Sequence, residues 1–393
     1  MVRTGLQRIA DGDSGLSLKG LRCGLLCHAA SVCGDLRHAV DVVRDTGARL
    51  SRLFGPEHGV FGETQDMVQV DSRCHPRLGL VVHSLYGATL ASLKPRGEWL
   101  EDLDLVLIDL QDVGSRYYTY VWTMVLMIQA CAEAGRRVVV LDRPNPIGGV
   151  DLEGPGVDSG YTSFVGLHPV PVRHGMTTGE LARLTRAELG LEHEVDLTVV
   201  AAQGWRRAMM HESSGLPWVL PSPNMPTPHT ALVYPGGCLL EGTNVSEGRG
   251  TTRPFEIVGA PWVNGWSLAQ ELGAADLPGV QFRPLSFVPT FHKYAGQSCG
   301  GIQIHVVDSR VFRPLRTFVA LLGILHRLWP GEFRWREQPY EFVHNLPAID
   351  LLAGGSWLRQ GVEQDLPLDR ISAGWSRQER AFDERRRKWL LHD

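Results

Sequence analysis

No stretch of this chain is apolar for long enough to cross a bilayer. Positive charge is not in excess either. Lys and Arg number 39 against 43 Asp and Glu, a net charge of −4, so no global field favours nucleic acid. The one basic run, Arg385-Arg386-Arg387-Lys388, falls in a helical pattern with Ile371, Trp375, Phe382 and Trp389 on its apolar side, and it reads as a solvated helix face. The seven cysteines are odd in number and scattered, which suits reduced, buried thiols, and Cys23, Cys27 and Cys33 lack zinc-site spacing. Met1 to Gln7 lead into no apolar signal core, so the expectation is a cytoplasmic protein. G-x-G-x-x-G and the phosphate-binding P-loop are missing, which removes the usual marks of dinucleotide and nucleoside triphosphate sites. His211-Glu212 has no second histidine at zinc-protease spacing, nor has the His193-Glu194 pair. No internal repeat and no low-complexity segment is present. No cofactor and no metal is expected, and oligomeric state is left open.

What is present describes an ordinary globular chain. At 393 residues, 43% apolar and 21% charged, it is long enough for two domains. Leu21 to Cys27 is a short apolar run of the kind that forms a buried strand. Leu36, Val40 and Val43 follow at helical spacing, and a second strand runs up to Phe54. This β-α-β order opens a Rossmann-like sheet. Further strands are expected at 80–85, 103–109, 137–141 and 196–200. A helix follows the second of these, with Ser115 as its N-cap. Pro217 to Pro235 contains six prolines and no periodicity, which predicts a stiff irregular loop. The composition changes near Trp266. The predicted architecture is α/β: a Rossmann-like open, mostly parallel sheet over residues 1–265, followed by a smaller α/β (α+β) unit over 266–393.

The chain is organised around Arg52 to Gly59. A strand ends there in Gly55-Pro56, then Glu57 and His58, then Gly59. Glycine and proline permit and fix a tight bend, and open α/β sheets hold ligands at this carboxyl edge. Two further strands also end in polar groups, Asp109 with Gln111 and Asp112, and Asp142 with Arg143 and Asn145. Arg116 and Tyr118 are expected at the same edge. The stretch 241–256 is rich in glycine, small polar residues and charge, and reads as a second wall. The set is dominated by carboxylates: Glu57, Asp109, Asp112, Asp142, Glu241, Glu247 and Glu256. Glycoside hydrolysis needs one acid to protonate the leaving oxygen and a second group to assist at the anomeric carbon. Desolvation at a covered sheet edge can prepare Glu57 as that acid. His58 either tunes it or orients a loop carbonyl. Two other readings stand beside this one. Gly296-Gln297-Ser298-Cys299-Gly300 matches the hydrolase string G-x-S-x-G, though a strand follows where that motif needs a helix, and it names Ser298 as an esterase or amidase nucleophile. The other reading is a sugar-binding protein without catalysis.

The strings LFGPEHG (53–59), IDLQDVGSRYYTY (108–120), LDRPNPIGG (141–149) and EGTNVSEGRGTTRPFEIVGAPW (241–262) resemble those of the bacterial exo-β-N-acetylmuramidase family, also labelled YbbC-like. GLLCHAAS (24–31), FHKYAGQSCGGIQIHV (291–306) and PAIDLLAG (347–354) extend the resemblance over nearly the whole chain. It implies an active site between a Rossmann-like domain and a smaller α/β domain. The implied reaction is release of N-acetylmuramic acid from the non-reducing end of peptidoglycan fragments. The proposed catalytic glutamate of the family falls on Glu57. Matching pocket positions are His58, Gln111, Asp112, Arg116, Tyr118, Asn145, Glu241, Asn244, Ser246, Arg249 and Glu256. His58 and Asp112 are taken with Glu57 as catalytic candidates. Arg116, Arg249 or Lys293 is expected to meet the lactyl carboxylate of muramic acid. Cys27-His28 departs from the Thr-Asn pair more usual in relatives, which bears on the pocket floor. Several relatives are secreted, so export is the alternative to a cytoplasmic location.

Overall fold

All 393 residues are described by a computed structural model. Seven strands build the larger sheet: β1 (Arg22–Cys27), β2 (Arg49–Gly55), β3 (Arg73–Cys74), β4 (Val81–Ser84), β5 (Leu105–Asp109), β6 (Arg137–Leu141) and β7 (Leu197–Val200). Their order is β3-β4-β2-β1-β5-β6-β7. All neighbours are parallel except the short edge pair β3 and β4. β1 and β5 are apolar and almost wholly buried, as strands covered on both faces must be. Helices α1 (Gly5–Ala10), α2 (Ala39–Asp45), α3 (Tyr120–Glu133) and α4 (Thr178–Glu188) accompany this sheet. The chain leaves β1 in one direction to β2 and later in the other to β5. That reversal opens a crevice beyond the carboxyl ends of the central strands.

The smaller sheet is antiparallel, in the order β8 (Ile257–Ala260), β10 (Cys299–Val306), β9 (Val280–Phe287). β8, at 257–260, falls inside the first unit expected to end at residue 265, yet it pairs with β10 of the smaller sheet. Around this sheet lie α5 (Pro228–Gly237), α6 (Gly265–Gly273), α7 (Pro314–Leu328) and the C-terminal helices α8 (Ala348–Ala353), α9 (Trp357–Glu363), α10 (Leu368–Ile371) and α11 (Trp375–Arg386). One hydrophobic cluster of 71 buried residues runs through both units, from Phe54 and Ile108 to Phe318 and Leu352. No helix is long and apolar enough to cross a membrane.

Three local expectations are corrected. The proline-rich stretch is not irregular throughout, because its last part forms α5. Pro228 sits in the first turn, where a missing N–H costs nothing, and Thr227 caps the helix by accepting from the Thr230 N–H at 3.1 Å. The basic run is not wholly solvated. Arg386 is buried and donates to the Gly149, His174 and Gly175 carbonyls, which ties α11 back to the larger sheet. Ser115 does not cap α3, which starts at Tyr120 after Thr119.

Candidate active site

The chain turns sharply after β2. The Gly59 N–H donates to the Pro56 carbonyl at 3.0 Å, and His58 takes the left-handed conformation at φ 68°. Gly55 is needed because Val60 folds back onto it, leaving only 3.0 Å for a β-carbon. His58 Nδ1 then meets the Thr64 carbonyl at 2.7 Å, closing the loop on itself. The closed loop brings the Met67 N–H to Glu57 Oε1 at 3.1 Å. The other carboxyl oxygen of Glu57 accepts from the Thr119 hydroxyl at 2.8 Å. That hydroxyl stands where it would otherwise cap α3, so the helix goes uncapped and Glu57 is held instead.

Glu57 is buried in a narrow cleft of about 40 Å³ between the two units. From the larger unit come His58, Asp66, Met67, Tyr117, Tyr118 and Thr119. The proline-rich loop adds Ser222, Asn224 and Met225. Tyr234, Glu241, Arg249, Phe255, Tyr340 and Glu341 close it from the other side. The lining carries four carboxyl groups, Glu57, Asp66, Glu241 and Glu341, and one guanidinium, Arg249. Arg249 is already matched: it lies 2.5 Å from Glu241, 3.2 Å from Glu247 and 3.4 Å from Asp66. The Tyr340 hydroxyl donates to Glu241 at 2.6 Å.

Glu341 was absent from the sequence candidates. It occupies a two-residue turn in which Tyr340 and Val343 exchange both backbone hydrogen bonds, at 2.9 and 3.1 Å. Both central residues, Glu341 and Phe342, have positive φ, 45° and 66°. Such turns favour Asn-Gly, and a Glu-Phe pair there stores roughly 1–3 kcal/mol of strain per residue. The strain is held by packing. Phe342 meets Tyr86 edge-on, and the Tyr86 hydroxyl donates to Glu341 Oε2 at 3.1 Å. Burial raises the pKa of Glu341 well above the carboxylate range, and the charges of Glu57 and Glu241 push it further the same way.

The remaining predicted residues reach other places. Asp112 lies away from the cleft, 3.2 Å from His174 and accepting from the Gly114 N–H at 2.8 Å. Gln111 donates to the Asp112 carbonyl, and Asn145 braces Met176 and Ile147. Arg116 is wholly buried and donates to the carbonyls of Pro155, Val170 and Leu352, so it joins the two units and faces no ligand. Asn244 bonds Glu332 and Arg334, Ser246 accepts from the Gly248 N–H, and Glu256 accepts from Thr230. Lys293 is spent on the Leu240 and Val245 carbonyls and on Glu247. Two strand-end acids are likewise braces: Asp109 grips Arg143 at 2.5 and 2.9 Å, and Asp142 accepts from the Gly179 N–H at 2.8 Å and lies 2.9 Å from His392. His28 is also internal, accepting from the Gln111 N–H and meeting the Pro221 carbonyl, and burial pulls its pKa down to about 3. Ser298 is exposed just before β10, with no side-chain hydrogen bond to a base and no following helix, so the elbow reading has no geometry behind it.

The cleft therefore unites an acid at a parallel-strand tip with a second carboxyl carried across from the other unit. Family models agree with that two-part construction. The N-terminal model of the exo-β-N-acetylmuramidase NamZ matches residues 23–229, and its C-terminal model matches 232–392. The chain belongs to the exo-β-N-acetylmuramidase NamZ family. Among its relatives is the peptidoglycan β-N-acetylmuramidase NamZ of Bacillus subtilis (strain 168), 42% identical over 392 residues, covering 100% of this chain and 91% of that protein. Crystal structures of two DUF1343 family proteins of Bacteroides fragilis NCTC 9343 share the NamZ-family fold. One has a TM-score of 0.89 at 32% identity, the other 0.77 at 28%, each covering 100% of this chain and 99% of the other.

Proposed function

We propose that this protein is an exo-β-N-acetylmuramidase, hydrolysing the glycosidic bond of a terminal N-acetylmuramic acid on peptidoglycan fragments with Glu57 as general acid and base. The observation that carries this is the placement of Glu57: buried, held through both oxygens, and open to a cleft at the topological switch of the sheet. Glu57 passes a proton to the leaving oxygen as the bond to the anomeric carbon breaks. The same carboxylate then takes a proton from the incoming water. Glu341, kept neutral by its burial beside Glu57 and Glu241, spares the cleft one further negative charge and offers a hydrogen-bond donor beside the reacting sugar. No second carboxylate of the expected set is free to attack the anomeric carbon: Asp112 and Glu256 face elsewhere, Glu247 is enclosed by Lys293, His292 and Arg249, and Glu241 is held by Arg249 and the Tyr340 hydroxyl. That favours the sugar's own 2-acetamido group in this role.

His58 serves as a positioning residue that closes the 58–67 loop over Glu57. Tyr118, Glu241 and Arg249 form the sugar-binding wall. The seven unpaired thiols, six of them buried, fit a reducing compartment, and we place the reaction in the cytoplasm. Incubation with the disaccharide of N-acetylmuramic acid β-linked to N-acetylglucosamine, followed by mass analysis, tests the reading. Free N-acetylmuramic acid is the expected product. An unaltered disaccharide bound tightly by the protein would leave only the sugar-binding alternative.

A further inference from the structure

We propose that Arg336, at the mouth of the cleft, is the cation that recognises the carboxylate of the substrate. The inference rests on the glycosidase reading and supplies what the cleft itself lacks. Setting Glu57 and Glu341 aside, the lining still carries Asp66 and Glu241 against Arg249 alone, and Arg249 is surrounded by carboxylates at 2.5 to 3.4 Å. A substrate bearing its own carboxylate enters that field at a cost unless a free cation meets it. The other two expected cations are unavailable, because Arg116 is enclosed by carbonyls and Lys293 is held by Glu247.

Arg336 is different. No carboxylate lies within ion-pair distance of it. Its guanidinium stacks over the Tyr340 ring at 5.3 Å, and Nη2 reaches only the Met67 sulfur at 3.8 Å and the Pro339 carbonyl at 3.3 Å. Its Nε is buried without a partner. Met67 and Tyr340 both line the cleft, so the guanidinium stands at its rim. The backbone there is fixed. The Arg336 N–H donates to Gly242 at 2.8 Å, Trp335 bridges Thr243, and Arg334 and Asn244 exchange hydrogen bonds through backbone and side chain. Asn244 thus sets the register of the strip that carries Arg336. Beyond the rim a polar groove of about 700 Å³ continues past Trp335, Tyr294 and Arg334, another guanidinium with no carboxylate partner. Glu337 lines this groove too, but the unpaired Arg334 and Arg336 outnumber it, so charge changes sign from the acidic floor to the rim. This suits a sugar whose glycosidic oxygen meets Glu57 while its anionic substituent points outward.

The carboxylate can come from two sources, the lactyl ether of muramic acid or a peptide attached to it. Competitive inhibition of aryl N-acetylmuraminide hydrolysis separates them, using N-acetylmuramic acid, its lactyl methylamide, and N-acetylmuramoyl dipeptide. For the lactyl source, the native protein binds the free acid more tightly than the methylamide. Arg336→Ala then erases that preference by about ten- to a hundredfold, the size of a charge-assisted hydrogen bond, and raises KM more than it lowers kcat. Arg336→Lys falls between. For the peptide source, Arg336→Ala weakens the dipeptide conjugate alone. An Arg336→Ala protein that keeps the native ratios among all three ligands overturns the proposal while leaving the glycosidase reading intact. A native protein that cleaves no N-acetylmuraminide overturns both.

Discussion

Replacing Arg116 by methionine separates structural from ligand-binding roles for the most conspicuous buried cation of the larger unit. The guanidinium is wholly buried and makes three hydrogen bonds, to Pro155 at 2.8 Å, Val170 at 3.1 Å and Leu352 at 2.7 Å. Hydrogen bonds from a charged donor contribute roughly 1.5–3 kcal/mol each, which gives a gross loss on the order of 5–9 kcal/mol. Part of that is offset because the variant no longer buries a charge, whose desolvation here already lowers the Arg116 pKa. A net loss of roughly 3–5 kcal/mol remains, because three buried carbonyls are left without a donor at about 1–3 kcal/mol each. For a chain of 393 residues, with an unfolding entropy of about 0.8 kcal/mol/K, that corresponds to a fall in Tm on the order of 4–6 °C. Thermal unfolding by circular dichroism measures it, alongside KM on an aryl N-acetylmuraminide. Arg116→Met is expected to lower Tm strongly, with KM for the folded fraction changing little. An unchanged Tm with a raised KM would refute the reasoning and return Arg116 to the ligand.

Three further outcomes follow from the geometry. Burial raises the Glu153 pKa to about 7. An acid raised on folding adds stability below its unfolded pKa near 4.5 and loses it as pH climbs through about 7. Glu153→Gln should therefore flatten the decline in Tm between those values, and a decline that persists would show another group is responsible. Glu341→Gln fixes the neutral form of that side chain, so activity should be retained near neutrality and its alkaline decline should move to higher pH. Complete inactivity at every pH would make Glu341 a proton carrier. Ser298→Ala should leave sugar release within about twofold of native, as surface changes away from a site do, and a large loss would revive the serine-nucleophile reading.

Much of the fold was legible because parallel strands buried on both faces leave unmistakable apolar runs, as at Leu105–Asp109 and Arg137–Leu141. Glu57 was legible for a related reason: glycine and proline at the end of such a strand predict a bend at the ligand-binding edge. The same logic misled at Asp109 and Asp142. Strand-end carboxylates also serve to grip a neighbouring arginine or loop amide, and sequence does not distinguish the two uses. Glu341 was invisible because its partners, Tyr86 and Glu57, lie more than 250 residues away. Its turn is specified by packing, not by the Asn-Gly chemistry that marks such turns. The cations were chosen on type alone. Arg116, Lys293 and Arg249 carry the right charge, but each is already neutralised or enclosed, and only the contacts of each guanidinium and ammonium reveal which is free.

The most direct test is turnover of an aryl N-acetylmuraminide by Glu57→Gln, with the fold checked by Tm. The account predicts native-like unfolding and a rate reduced about 10²- to 10⁴-fold, the contribution expected of a positioned general acid. Near-native turnover by a correctly folded Glu57→Gln protein would contradict it.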